Sequence, residues 1–217
     1  AKHPKVPVRV VYILIENPDP NWNLRLAIET SIAQNPNTPL NVLEALIKVP
    51  YTKVKSAIAK RSDLTKDLII ELAIDYRVHT MNFLPQNPHI SSDWLEEMAD
   101  HPVERVRQMV ARHPNTPPYL LVKAARDLQL RQFIAENPST PASVLEELAI
   151  DSRGDIQAAV ARNVNTPGYV LEILGGTPFH DLLLARHPNT PDSTLQKVLW
   201  RLALDERLSV RKYEAQH

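Results

Sequence analysis

Apolar and polar positions along this chain follow a recurring block. Within a block the apolar residues fall at spacings of three and four, as in Val144, Leu145, Leu148 and Ala149, one face of a helix of about ten residues. A shorter apolar-periodic segment follows before the next block, as in Val103, Val106 and Val110. Its length suits either a short α-helix or a 3₁₀ turn.

Asn-Pro and His-Pro dipeptides give the register. The anchor proline falls at Pro36, Pro88, Pro114, Pro138 and Pro188, with Ser62 and Val164 in the same slot, at intervals of 24 or 26 residues. Two residues later stand Thr38, Leu64, Ile90, Thr116, Thr140, Thr166 and Thr190, and next to them Pro39, Thr65, Ser91, Pro117, Pro141, Pro167 and Pro191. Seven residues after the anchor comes a branched aliphatic, Leu43, Ile69, Leu95, Leu121, Leu145, Leu171 or Leu195. Three before it stands Ala33, Ala59, Ala111, Ala135, Ala161 or Ala185, broken by Pro85.

Thr-Pro reads as a helix start, the threonine capping free N–H groups and the proline occupying the first helical position. The anchor proline ends the preceding segment, because proline disfavours helical geometry in the residue before it. So short a helix pair cannot bury its apolar face alone, and stacked neighbours supply a continuous core. The alanine column lets adjacent layers approach closely. The expected fold is therefore all-α, a solenoid of paired short helices without a sheet. Residues 1–31 read as a partial repeat or cap around Asn17-Pro18, residues 32–213 as seven tandem repeats in one solenoid, and residues 214–217 as a tail.

Composition changes the picture in three places. Nineteen prolines against four glycines would suggest disorder, but the aliphatics are plentiful and the prolines periodic. Lys+Arg and Asp+Glu balance at 25 each, without the basic excess of a general nucleic-acid binder. The lack of cysteine excludes disulfides, thiolate zinc sites, iron–sulfur clusters and cysteine nucleophiles, and fits a reducing compartment. The apolar run at 10–15 is far short of the ~20 residues that span a bilayer and resembles no secretory signal. The only candidate N-glycosylation acceptor, Asn137-Pro138-Ser139, has proline in the middle. A cytoplasmic location without membrane contact is expected.

The consensus that emerges is Ala-Arg-His/Asn-Pro-Asn-Thr-Pro, a Leu-Xaa-Xaa-Leu-Ala helix and an Asp-containing connector, clearest at 110–117, 134–141, 160–167 and 184–191. It resembles the leucine-rich repeat variant family over about residues 10–213. The resemblance implies repeats alternating α- and 3₁₀-helices in a right-handed superhelix without strands. One member of that family carries an N-terminal cysteine-ligated iron–sulfur domain, which a cysteine-free chain does not share. The second copy, 58–83, lacks both prolines, so its geometry is expected to differ.

No catalytic, cofactor or metal site is read from the motifs. His113 and His187 share one slot three repeats apart, roughly 25–30 Å at ordinary helix spacing, too far to share one ion; they read as residues that cap or pack at the turn. His89, His101 and His180 lack helical ligand spacing. Glu96-Glu97 and Glu146-Glu147, with Glu44, Glu71 and Glu172, read as a solvated face or an electrostatic docking strip. Gly175-Gly176 reads as a left-handed helix cap, and Walker, dinucleotide-binding and nucleophile-elbow patterns are missing.

Two columns remain as candidate partner-binding positions. Lys60, Arg112, Arg162 and Arg186 stand two residues before the anchor, interrupted by Gln34, Gln86 and Glu136; Arg105 and Arg107 lie near that side. They could follow a phosphate backbone, but without interleaved aromatics; ion pairing between layers and simple solvation are the alternatives. Tyr119 and Tyr169 share a slot otherwise polar and suit a protein interface or the covering of their own repeats. Trp94 reads as core, and Trp22 and Trp200 as covers for terminal layers. The expected function is a non-catalytic scaffold for a protein partner, with a nucleic-acid-binding solenoid as the alternative. The apolar stretch at 6–15 leaves open a cap, a homodimer contact or a cut edge of a longer protein that begins here at Ala1; the charged stretch at 201–217 is expected to close the stack.

Overall fold

The computed structural model describes residue 13, residues 22–75 and residues 83–214, with side chains described as far as Asp205. The apolar stretch at 6–15, for which a cap, a homodimer contact and a cut edge stand open, lies outside the described residues except for exposed Ile13. Among the described residues all regular structure is helical, and no strand occurs. The chain divides into two compact units, residues 1–116 and 117–217.

In the first unit the helices are α1 (Trp22–Gln34), α2 (Leu40–Ile47), α3 (Thr52–Ala59), α4 (Lys66–Ile74), α5 (Ser92–Met98) and α6 (Glu104–Arg112), with a 3₁₀ turn at Leu84–Gln86 before α5. The second unit has α7 (Pro118–Ala124), α8 (Arg131–Glu136), α9 (Ala142–Ala149), α10 (Gly154–Arg162), α11 (Gly168–Leu174), a 3₁₀ turn at Pro178–His180, α12 (Asp181–Leu184) and α13 (Asp192–Glu214). The second segment of each block is thus usually a short α-helix. Where Pro85 replaces the column alanine, the described residues just before the anchor form a 3₁₀ turn.

Within each unit helices pack both on their neighbours in the chain and on equivalents one repeat away. α1 packs on α3 and α2 on α4; α8 packs on α10, α10 on α12, and α9 on α11. The apolar columns face inward as their spacing dictates. Val42, Leu43, Leu46 and Ile47 are buried in α2, and Val144, Leu145, Leu148 and Ala149 in α9. The column alanines Ala33, Ala59 and Ala135 are wholly buried. The proline-free copy keeps the same pattern, burying Leu68, Ile69, Leu72 and Ala73 in α4.

Three expectations are corrected. The threonines do not cap the helix that follows them. Pro39, Pro117, Pro141 and Pro167 themselves hold the N-cap position, with ψ between 136° and 151° and no capping side chain. The threonine hydroxyl points back instead. Thr38, Thr116, Thr140, Thr166 and Thr190 donate to the carbonyls of Ile32, Val110, Ile134, Val160 and Leu184 at 2.5–2.7 Å. Those carbonyls lie in the last turn of the preceding helix or at its edge, where acceptors lack intrahelical partners. Where the proline is replaced, Thr65 and Ser91 cap conventionally, accepting from the Leu68 and Trp94 N–H groups at 3.3 Å.

Gly175 and Gly176 form no left-handed cap, since no described glycine has a positive φ. Gly175 is required by proximity: a Cβ there would stand 2.6 Å from Thr194 Cγ2 of the next repeat. The last block is also not a helix pair. Residues 192–214 contain neither glycine nor proline, and α13 runs through them without interruption.

Candidate functional site

The residue just before each anchor is polar and buried or half-buried, and it builds the feature that most distinguishes this chain. Asn163 Nδ2 donates to the carbonyls of Ala135 and Asn137 in the preceding repeat, at 2.8 and 2.9 Å. Its Oδ1 accepts the Asn165 N–H at 3.0 Å. Asn87 does the same with Ala59, Arg61 and the His89 N–H. One small amide thus closes its own turn and ties it to the previous one.

Histidine fills the slot by the same logic. His113 Nε2 is 3.0 Å from the Asn87 carbonyl, and Nδ1 accepts the Asn115 N–H at 3.1 Å. A carbonyl can only accept, so Nε2 carries the proton and the ring is neutral. Burial pushes the His113 imidazole below its ordinary value, against the hydrogen bond to Asn87. His187 repeats the geometry on the Asn163 carbonyl and the Asn189 N–H. The expectation that these histidines cap and pack at the turn is met.

The third variant is Arg61. Its Nη1 reaches the Ala33 and Asn35 carbonyls at 3.0 and 2.5 Å, Nη2 reaches Pro36 at 3.2 Å, and Nε and Nη2 clasp both oxygens of Asp63. That bond holds the Asp63 carboxyl below the usual carboxylate range.

A second polar row marks the connector between the two helices of a repeat. Asp127 and Asp151 accept the N–H two residues on, and His101 does so through Nδ1. Arg131 pairs with Asp151 at 2.8 Å, Arg201 clasps Asp181, and Lys55 bonds Asp75. Arg131 holds Asp151 below its usual range.

The candidate partner-binding residues lie outside these buried rows. Tyr119 and Tyr169 are 54 % and 49 % exposed, at equivalent positions of α7 and α11. Partial desolvation and the neighbouring Glu146 carboxylate raise the Tyr169 phenol above its ordinary value. Lys60 is exposed, with Nζ 4.8 Å from the Phe83 ring centre. Arg162 and Arg186 are exposed and Arg112 half-buried. Trp22 and Trp200 are 60 % and 67 % exposed, so neither is buried as a cover. Trp94 is half-buried against the core.

Among the hollows lined by described residues, two stand in different units. One, of about 480 Å³ in the first unit, is lined among others by Gln34, Lys60, Arg61, Ser62, Asp63 and His89. The other, of about 400 Å³ in the second unit, lies between Pro178, Asp181, Arg201 and Leu204. Close by in the chain, His180 is buried with Nε2 3.1 Å from Gln157 Oε1, and its Nδ1 has no partner among the described residues. Burial first, then the Arg162 charge, lowers the His180 pKa. No group of three His, Cys, Asp or Glu side chains suited to a metal ion occurs among the described residues.

Compared with protein families, curated proteins and solved structures, the chain matches none. Among the described residues no helix is long and apolar enough to cross a membrane.

The slot before the anchor is a structural feature that spacing alone did not single out. The available signal was its composition: Asn35, Arg61, Asn87, His113, Asn137, Asn163 and His187 all carry donors able to reach a neighbouring carbonyl.

Proposed function

We propose that this chain is a non-catalytic repeat scaffold of the leucine-rich repeat variant type, a right-handed helical solenoid that binds a protein partner through an extended surface in the cytoplasm. The observation that carries this reading is the inter-repeat bonding of Asn87 and Asn163. A side chain in one slot bonded to carbonyls 26 and 28 residues earlier sets the register of adjacent repeats. Exposed residues that share a slot then recur at the repeat spacing. Such a surface suits an extended partner, and tyrosine is a favoured interface anchor because it offers a large rigid ring with a polar tip.

Affinity capture with the intact chain tests the proposal, beside a Tyr119→Ala/Tyr169→Ala variant and an Arg112→Glu/Arg162→Glu/Arg186→Glu variant of unchanged helicity. A specific protein held by the intact chain and lost from the tyrosine variant supports the scaffold reading. Nuclease-sensitive recovery lost only in the charge-reversed variant would replace it with nucleic-acid binding.

A further inference from the structure

We infer that the hollow beside Lys60 in the first unit binds a carboxylate or phosphate side chain of an acidic protein segment. The inference builds on the scaffold reading and names the chemistry of one contact.

The charges lining the hollow do not cancel. Arg61 and Asp63 neutralise each other through two hydrogen bonds, and the remaining Arg61 donors are directed at backbone carbonyls. Lys60 therefore supplies the outstanding positive charge. Its ammonium lies over the ring of Phe83, which packs against the core, so a cation–π contact favours one position for a long flexible side chain. Gln34, Ser62 and His89 line the same hollow and are exposed, offering an amide, a hydroxyl and an imidazole as donors. A volume of about 480 Å³ is within the range of small-ligand sites. An ammonium that shares a hollow with neutral donors suits an oxyanion, because charge-assisted hydrogen bonds are the stronger kind.

The occupant belongs to a protein rather than to a nucleic acid. On either side of Lys60 the same column carries Gln34 and Gln86, so positive charge does not recur along a phosphate track. The Phe83 face is already taken by Lys60, which leaves it unsuited to base stacking.

Backbone amide NMR of the full chain tests this by titration with a glutamate-rich peptide, a phosphoserine peptide, inorganic phosphate and a single-stranded oligonucleotide. The expected result is saturable shifts centred on residues 34, 60–63 and 89 with at least one peptide, binding more tightly than inorganic phosphate. Affinity should fall about tenfold in Lys60→Gln, as when one charge-assisted contact is lost, and fall also in His89→Gln. Both substitutions are at exposed positions, and an unchanged amide spectrum elsewhere verifies their fold. Absence of saturable shifts with both peptides, or unchanged affinity in both variants, overturns the inference. So does an oligonucleotide that binds the same residues more tightly than either peptide. The tyrosine variants leave the hollow intact. Peptide binding with capture unchanged in the tyrosine variant therefore counts against the tyrosine surface alone, and capture lost from that variant without peptide binding counts against the hollow alone.

Discussion

Arg61 Nε and Nη2 hold Asp63 Oδ1 and Oδ2 at 2.7 and 2.6 Å, and together the pair performs the task that a single asparagine performs at Asn87 and Asn163. The guanidinium reaches the two carbonyls of the preceding repeat that the amide would reach. Asparagine supplies its own acceptor for the local turn, whereas arginine has none, and a carboxylate stands two residues on.

This equivalence predicts an unequal mutation series. Arg61→Ala leaves buried carbonyls without partners and should destabilise the fold by about 2–4 kcal/mol. Arg61→Asn combined with Asp63→Asn should recover a large part of that loss, because it recreates the arrangement of the other repeats. Urea denaturation of the three proteins checks the order, and a double variant no better than Arg61→Ala would refute the equivalence.

His113 predicts a pH dependence. Its folded pKa lies below the ordinary histidine value, so the native state favours the neutral ring. The contribution is fully present above the unfolded value of about 6.5. It is lost as pH falls from there through the folded pKa, because the unfolded chain then binds the extra proton. A proton on Nδ1 would also face the Asn115 N–H that it now accepts. His113→Asn should flatten the fall in urea midpoint between neutral and mildly acidic pH, relative to the parent chain.

Thr166 tests the reassigned threonine. Thr166→Val keeps the shape but removes the 2.7 Å bond to the Val160 carbonyl, and should cost about 1 kcal/mol. Thr166→Ser retains the hydroxyl and should cost less of the hydrogen-bonding contribution. If the threonine acted on the following helix, faster amide exchange in Thr166→Val would begin at Val170. The geometry instead predicts it at the end of α10 and in its turn.

Gly175→Ala should destabilise the chain by about 1–3 kcal/mol, the usual range for overpacking, although alanine is otherwise the better helix former. The clash is with the Thr194 methyl, and the χ1 of a β-branched residue has little freedom to move it. Thr194→Ser removes that methyl. Thermal denaturation should therefore show Gly175→Ala less damaging in a Thr194→Ser background.

The linear pattern alone was enough for the helical class, the inward aliphatic columns and the polar turns, because these depend on spacings within a single repeat. Leu43, Leu145 and Leu171 are buried where their periodicity placed them. Other features depend on the neighbouring repeat. Whether Thr166 bonds forward or backward turns on which helix end leaves an acceptor beside it. The need for glycine at 175 comes from a methyl 19 residues away at Thr194. Above all, the donors of Asn163 and Arg61 meet carbonyls that lie 25–28 residues earlier in the chain. A hydrogen bond acts over about 3 Å, so only the stacking of one repeat on the next decides which partners it joins.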